Sequence, residues 1–427
     1  MANRLDIVLF GASGFTGRYC IEEIHRLSKA NGKSLTWGIA GRSHTKLKQA
    51  LDEYQKKTDD DLNSVPIILA DAEDYISLKQ MTERARILIN CCGPYRFYGE
   101  PTVKACLESG THQVDVTGEP QYMETIQLKY HKAAQEKGIY IISSCGFDTI
   151  PADLGVIFVQ KNFKGTLNSV ETYSEGGEDP PKTPGPYATY ATWESAIHGI
   201  AHASELRDLR RKLYPTRLPD FRPRLKPRAS VHKSDVINTW CVPFLGSDRS
   251  VISRTQRYLY ERNKTRPVQI QTYMGFDSLI HLFLMVVLVR ILSFLVKYEF
   301  GRNLLLKYPR FFSAGMFARE DPLEQKLKRI KCSITFYGKG WSEKLAEGED
   351  EYTTPPNKTI IGRVSGVNPG YGITCTAVTL AAIVVLTEQD KLPEKGGVYS
   401  PGAAFAETTL IEQLQENGLS FEIVSSD

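Results

Sequence analysis

The sequence predicts an α/β fold: a doubly wound parallel sheet, a second α/β domain after it, and a C-terminal segment that returns to the first. Three observations carry this. Short apolar runs alternate with helical patterns through the first 150 residues. The first run opens into a glycine-rich turn, "VLFGASGFTG" (Val8–Gly17). A length of 427 residues allows a full core and more than one domain.

Leu5–Phe10 is the first strand, and the turn Gly11–Gly17 leads into a helical pattern from Tyr19 to Ala30. The N-terminal "MANRLDIVLFGASG" has an apolar run too short for a signal peptide, so it reads as part of the fold. "LTWGIAGRS", "VPIILAD", "ARILINCCGPY", "HQVDVTGEP" and "GIYIISSCGFD" follow as strands two to six, with helical patterns between. The expected division is 1–150 for this domain, 151–368 for the second, and 369–427 for the return.

The glycine turn has the spacing G-x-x-G-x-x-G, with Ser13 where G-x-G-x-x-G has its second glycine. A helix that opens on glycines presents free N–H groups and its positive dipole end, which suit a pyrophosphate. Gly11 permits the tight turn, Gly14 close approach of the backbone, and Gly17 packing of helix on strand. Ser13 and Thr16 add hydroxyl donors on either side of Phe15. The strand–turn–helix context predicts a dinucleotide site of the Rossmann type. The second strand ends in Gly41-Arg42-Ser43, with Lys46 one turn on, where an NAD site places a carboxylate for the ribose 2′-hydroxyl. Guanidinium, hydroxyl and ammonium suit a 2′-phosphate instead, which predicts NADP(H) rather than NAD(H). A solvated helix start is the alternative reading of Arg42 and Lys46. Asp71, at the end of strand three, is placed to meet the adenine, and Cys92-Gly93-Pro94 to lie beside the nicotinamide.

Hydride transfer also needs a proton donor near the developing charge. Tyr95, Asp115, Glu119, Cys145 and Asp148 cluster at the carboxyl ends of the strands, and Tyr95, Asp115 and Asp148 are the catalytic candidates. For each the plain alternative is a cap or loop hydrogen bond, and none forms a Tyr-x-x-x-Lys or Ser-His-Asp arrangement.

Apolar residues make up 41% and charged residues 24%, as in a globular protein, and a net charge of +4 is too small to imply nucleic acid. Eight cysteines lie scattered, with Cys91 and Cys92 adjacent rather than in a C-x-x-C pair. They read as reduced thiols of a cytosolic protein, and no metal site is expected. The acidic, Pro-containing stretch Ala346–Lys358 reads as an exposed loop.

Arg207–Arg228 holds nine Lys or Arg against two Asp and is interrupted by prolines, an exposed segment suited to an anionic membrane surface. Leu279–Val296 contains fourteen Leu, Ile, Phe or Val. On an insertion scale these contribute roughly −4 to −8 kcal/mol, and Arg290 offsets about 3. As a helix it spans about 27 Å, marginal for a hydrocarbon core of about 30 Å. An element lying in one leaflet is expected, with a buried helix or a dimer interface as the alternatives. Near the end, Tyr371–Gln389 reads as a helix of small residues, Ala404–Asn417 as an amphipathic helix, and the last residues as a strand.

"GASGFTG", "AGRS", "CCGPYRFYGEP", "VDVTGEP", "GFDTIPADLGV" and "GVYSPGAAF" together resemble the animal saccharopine dehydrogenase-like oxidoreductases, over nearly the whole chain. The resemblance implies a Rossmann domain, an inserted second α/β domain, and a C-terminal segment against the first. It also implies an oxidoreductase at a lipid droplet or the cytosolic face of membranes, with a mitochondrial location left open. Distant relatives of that family include the saccharopine reductases and the bacterial trans-acting enoyl reductases of lipid and glycolipid synthesis. A lipid-like acceptor, a saccharopine-type C–N substrate and a catalytically silent nucleotide-binding scaffold all remain open, as does a homodimer.

Overall fold

The computed structural model describes residues 4–29, 34–58, 60–147, 149–178, 183–344, 352 and 354–427. Two compact units are formed, one from 1–147, 370–399 and 407–414, the other from 148–369, 400–406 and 415–427.

In the first unit the chain runs β1 (Leu5–Phe10), α1 (Phe15–Ser28), β2 (Trp37–Gly41), α2 (His44–Thr58), β3 (Ile67–Leu69), α3 (Tyr75–Thr82), β4 (Ala85–Asn90), α4 (Tyr95–Ser109), β5 (His112–Asp115), α5 (Pro120–Glu136) and β6 (Tyr140–Ile142). The strands lie in the order β3-β2-β1-β4-β5-β6, and Gly397–Tyr399 adds a seventh beside β6. Every pairing is parallel. Helices cover a sheet of this kind on both faces, so its strands read as continuous apolar runs: Ile7 to Phe10 and Ile87 to Ile89 are all buried. Strand order reverses between β1 and β4, where Phe10 stands beside Asn90, and open α/β sheets bind ligands at that point. The helix Thr374–Thr387 packs on α1, β4 and β5.

The second unit begins with α6 (Ile150–Asn162) and β7 (Thr166–Glu178). Its seven-stranded sheet runs Ser420–Ser426, Lys358–Val367, Ile330–Trp341, β7, Gln269–Phe276, Trp240–Pro243, His232–Lys233. Only β7 and Gln269–Phe276 are parallel, so this sheet is mostly antiparallel. α6 packs on it at Gly155, where a Cβ would stand 2.2 Å from the Phe336 ring. The helices Tyr190–Ala201, Leu279–Leu295 and Glu299–Lys307 share a separate core of Trp193, Ile197, Leu292, Val296 and Leu305.

Three expectations are corrected. The C-terminal return is partial: Ser420–Ser426 pairs with Lys358–Val367 and completes the second sheet. An edge strand is placed by the open edge it finds, and the sequence pattern does not say which sheet offers one. The helix expected at Ala404–Asn417 is two, Pro401–Phe405 and Leu410–Glu416. They are broken at Thr408 and Thr409, where Glu388 accepts from the Thr409 N–H at 3.0 Å and from its hydroxyl. The basic stretch is exposed through the helix Glu205–Leu213, but its last residue turns inward: Arg228 makes two bonds, 2.7 and 2.8 Å, to the buried carboxylate of Glu171. Most of Ala346–Lys358 lies outside the described residues.

Candidate dinucleotide site

β1 delivers the chain to Gly11, which turns at φ +84°, the left-handed region that glycine enters freely. The Gly11 N–H donates to the Ala40 carbonyl of β2, and the Gly14 N–H returns to the Gly11 carbonyl, both at 3.0 Å. Gly14 then caps α1 as an exposed residue with no side chain. At Gly17 a Cβ would stand 2.3 Å from the Gly11 carbonyl oxygen, so only glycine lets α1 begin this close to the strand. The first-turn N–H groups of α1 have no intrahelical acceptor, and no acidic side chain occupies that turn. What results is a cradle of donors and positive potential, with Ser13 and Thr16 half-buried at its rim.

Three neighbouring strand ends frame the cradle. Arg42, at the end of β2, is exposed and in no ion pair among the described residues, and the same is true of Lys46. Ser43 accepts from the Lys46 N–H at 3.4 Å and starts α2. Asp71, after β3, accepts from the Glu73 N–H at 3.1 Å. After β4, Asn90 accepts from the Cys92 N–H at 3.0 Å and shapes the turn into the cis Gly93–Pro94 peptide. Burial pushes the Cys92 thiol up to about 11 against the opposing charge of Arg42, with Cys91 and Asp71 raising it further. At that value the thiol is neutral near pH 7.

The expected acid–base residues are committed elsewhere. Tyr95 is buried, its hydroxyl donates to the Asn90 carbonyl at 2.7 Å, and its ring lies against Tyr122. Burial raises the phenol well above its ordinary value, so it stays protonated, and its hydroxyl bond ties β4 to α4. Asp115 is fully buried and accepts from the N–H groups of Thr117 (3.1 Å) and Ser144 (2.9 Å), stapling the ends of β5 and β6. Burial raises its carboxyl to about 6. These bonds tie it to the fold. Glu119 takes the reading of a cap: its two oxygens accept from the Tyr95 and Arg96 N–H groups at 2.9 Å, closing the start of α4. Cys145 is buried, donates to the Ile142 carbonyl, and is raised by burial. Asp148 lies outside the described residues.

Some site residues escape sequence reasoning. Tyr371, in the π-turn Pro369–Ile373, sets its ring edge-on to Phe15 at 4.5 Å, walling the start of α1 from 356 residues away in sequence. Thr374 accepts from the Phe147 N–H at 3.1 Å. Ser144 sits at φ +69°, a strained conformation for serine, held by its bond to Asp115. "SSCG" at a strand end was the available signal for Ser144; nothing local marks the other two.

Residues 7–142 match the family described as Saccharopine dehydrogenase NADP binding domain, so the unit built around this cradle is an NADP-binding domain. A protein of Rattus norvegicus named saccharopine dehydrogenase-like oxidoreductase is 41% identical over 99% of this chain and 97% of its own. One of Caenorhabditis elegans, named lipid droplet localized protein, is 35% identical over 99% of each. Among solved structures, apo saccharopine dehydrogenase (L-Glu forming) of Saccharomyces cerevisiae matches with a TM-score of 0.55 at 13% identity, covering 99% of this chain and 100% of that one, a likeness of fold. Glycine cradle, unpaired cations and full-length identity agree: the chain belongs to the saccharopine dehydrogenase-like oxidoreductases.

Proposed function

We propose that this protein is an NADP(H)-dependent oxidoreductase working at a lipid-droplet or membrane surface on a lipid-like substrate. The carrying observation is the pairing of the glycine cradle with the exposed, unpaired cations Arg42 and Lys46. In this reading the pyrophosphate rests on the first turn of α1, aided by Ser13 and Thr16, and Arg42, Ser43 and Lys46 take the 2′-phosphate. Asp71 would meet the adenine, and Cys92-Gly93-Pro94 would lie beside the nicotinamide. Bound there, the cofactor supplies or accepts a hydride. The chain's part is to position it and exclude water; Phe15, Tyr19 and Tyr371 close the apolar wall. The droplet name of the worm relative and the apolar helix Leu279–Leu295 support a lipid-like acceptor.

A silent scaffold is the second reading, favoured by the commitment of Tyr95, Asp115, Glu119 and Cys145 to structural bonds. The test follows the nicotinamide absorbance in two arms, NADPH with long-chain enoyl esters or a neutral lipid extract, and NADP+ with saccharopine. Consumption with a lipid acceptor is the expected result. Formation of NADPH from NADP+ with saccharopine alone would make it a C–N oxidoreductase, and binding without turnover in either arm would leave the scaffold.

A further inference from the structure

The helix Leu279–Leu295 carries two apolar stripes. One is buried: Leu282 and Leu292, with Val296 at the C-cap, and the last two join Trp193, Ile197 and Leu305. The other is exposed: Ile280, Phe283, Leu284, Val287, Ile291 and Phe294 recur at spacings of three and four, so they line one outward face. Ile280 is 72% exposed. A helix on the surface of a water-soluble unit puts charged and polar residues there. Phe300 and Phe311, in the short helices that follow, are 77% and 80% exposed. The six outward side chains of the helix alone expose together on the order of 700 Å², above the few hundred Å² of an ordinary surface patch.

We propose that this face inserts into a single leaflet of an anionic phospholipid surface, with the helix lying flat. The inference rests on the proposed work at a lipid surface and names the residues that make the contact. Charge complementarity selects the occupant. From Arg290 to Lys307 there are four cations and one carboxylate, Glu299. The helix Glu205–Leu213, none of whose residues is fully buried, adds Arg207, Arg210, Arg211 and Lys212 against Glu205 and Asp208 just after the helix Tyr190–Ala201, which packs on Leu279–Leu295. A cationic margin around an apolar stripe matches anionic headgroups above acyl chains. Geometry selects the orientation. Seventeen residues make about 25 Å of helix, short of a hydrocarbon core of about 30 Å. The inner stripe is pinned by Leu282 and Leu292, and the chain returns at once to the same core through Leu305. The helix therefore stays on the body of its unit, and its outer face dips about 5–10 Å into the surface.

The test is flotation of purified full-length protein with protein-free liposomes of phosphatidylcholine, with or without about 30% phosphatidylserine. Wild type is expected to float with the anionic vesicles. Phe283→Gln/Ile291→Gln/Phe294→Gln should weaken partitioning at least about a hundredfold, with melting temperature and NADPH affinity unchanged. Lys297→Glu should weaken it severalfold and only on anionic vesicles. If the triple variant does not fold, Ile280→Gln and Phe283→Gln carry the test singly and should each weaken partitioning severalfold. Failure of wild type to float, or flotation of the folded variants like wild type, overturns the proposal. A wild-type dimer that the triple variant splits, with flotation intact, would assign the face to a second copy of the chain. Intact flotation without NADPH turnover would break the enzyme reading and leave this one standing.

Discussion

The helix Thr374–Thr387 of the first unit and the helix Leu279–Leu295 of the second are both apolar nearly throughout, yet eleven of the first one's fourteen residues are buried, against Leu282 and Leu292 in the second. By length and composition the stretch Pro369–Thr387 qualifies to cross a membrane, whereas Leu279–Leu295 is shorter, and it is the longer one that forms a core. Side-chain size makes the difference. Ala377, Thr379, Ala381 and Ala382 let α1, β4 and β5 close around the first helix. Leu, Ile and Phe stand out all round the second, and neighbours cover one side. Hydropathy thus measures what a helix would bury, and only its small residues show whether protein can get close enough to bury it.

The contrast can be broken by substitution. Val384 is fully buried, and Val384→Asp should destabilise the protein by about 4 kcal/mol or more, enough to abolish soluble expression or shift the thermal transition by many degrees. Leu292→Ala, on the inner stripe, should remove about 2–4 kcal/mol in denaturant titration. Asp115 sharpens the same lesson for a polar group. Its carboxyl rises from 3.8 to about 6 on burial, so the folded state holds the proton more tightly than the unfolded chain. That stability is fully present below pH 4 and is lost as pH rises through 6, a swing of about 3 kcal/mol. His112, lowered to about 4 by burial, acts oppositely in the same window, so the difference between wild type and Asp115→Asn isolates the effect. The stability of wild type relative to that variant should grow as pH falls from 7.5 to 5. Smallest of all, Phe283→Gln should leave stability within about 0.5 kcal/mol, because that side chain faces outward. A large loss there would mean that the outer stripe is packed after all.

Much of the first unit was legible because its signals are local. Apolar runs marked six strands, and the glycine spacing marked a turn that the Gly11 conformation and the Gly17 contact explain. The positions of Arg42 and Lys46 after β2 were legible for the same reason, since strand and helix starts are marked locally. The committed acids were not. Whether Asp115 or Tyr95 faces a ligand or a neighbouring loop depends on partners such as Ser144 and Asn90, and periodicity is silent about those. The last strand was misplaced for a related reason, since "SFEIVSS" suits either sheet. The exposed stripe of Leu279–Leu295 was visible as greasiness and invisible as a face.

The central claim is that the cradle holds NADP(H) and that Arg42 reads its 2′-phosphate. Calorimetric titration of purified wild type and Arg42→Glu with NADPH and with NADH tests it directly. The account predicts tight NADPH binding by wild type, weaker NADH binding, and a loss of at least about tenfold for NADPH in Arg42→Glu, as expected when a charge-assisted contact becomes a repulsion. Equal affinity of the variant for both cofactors, with NADPH bound as tightly as by wild type, would contradict it.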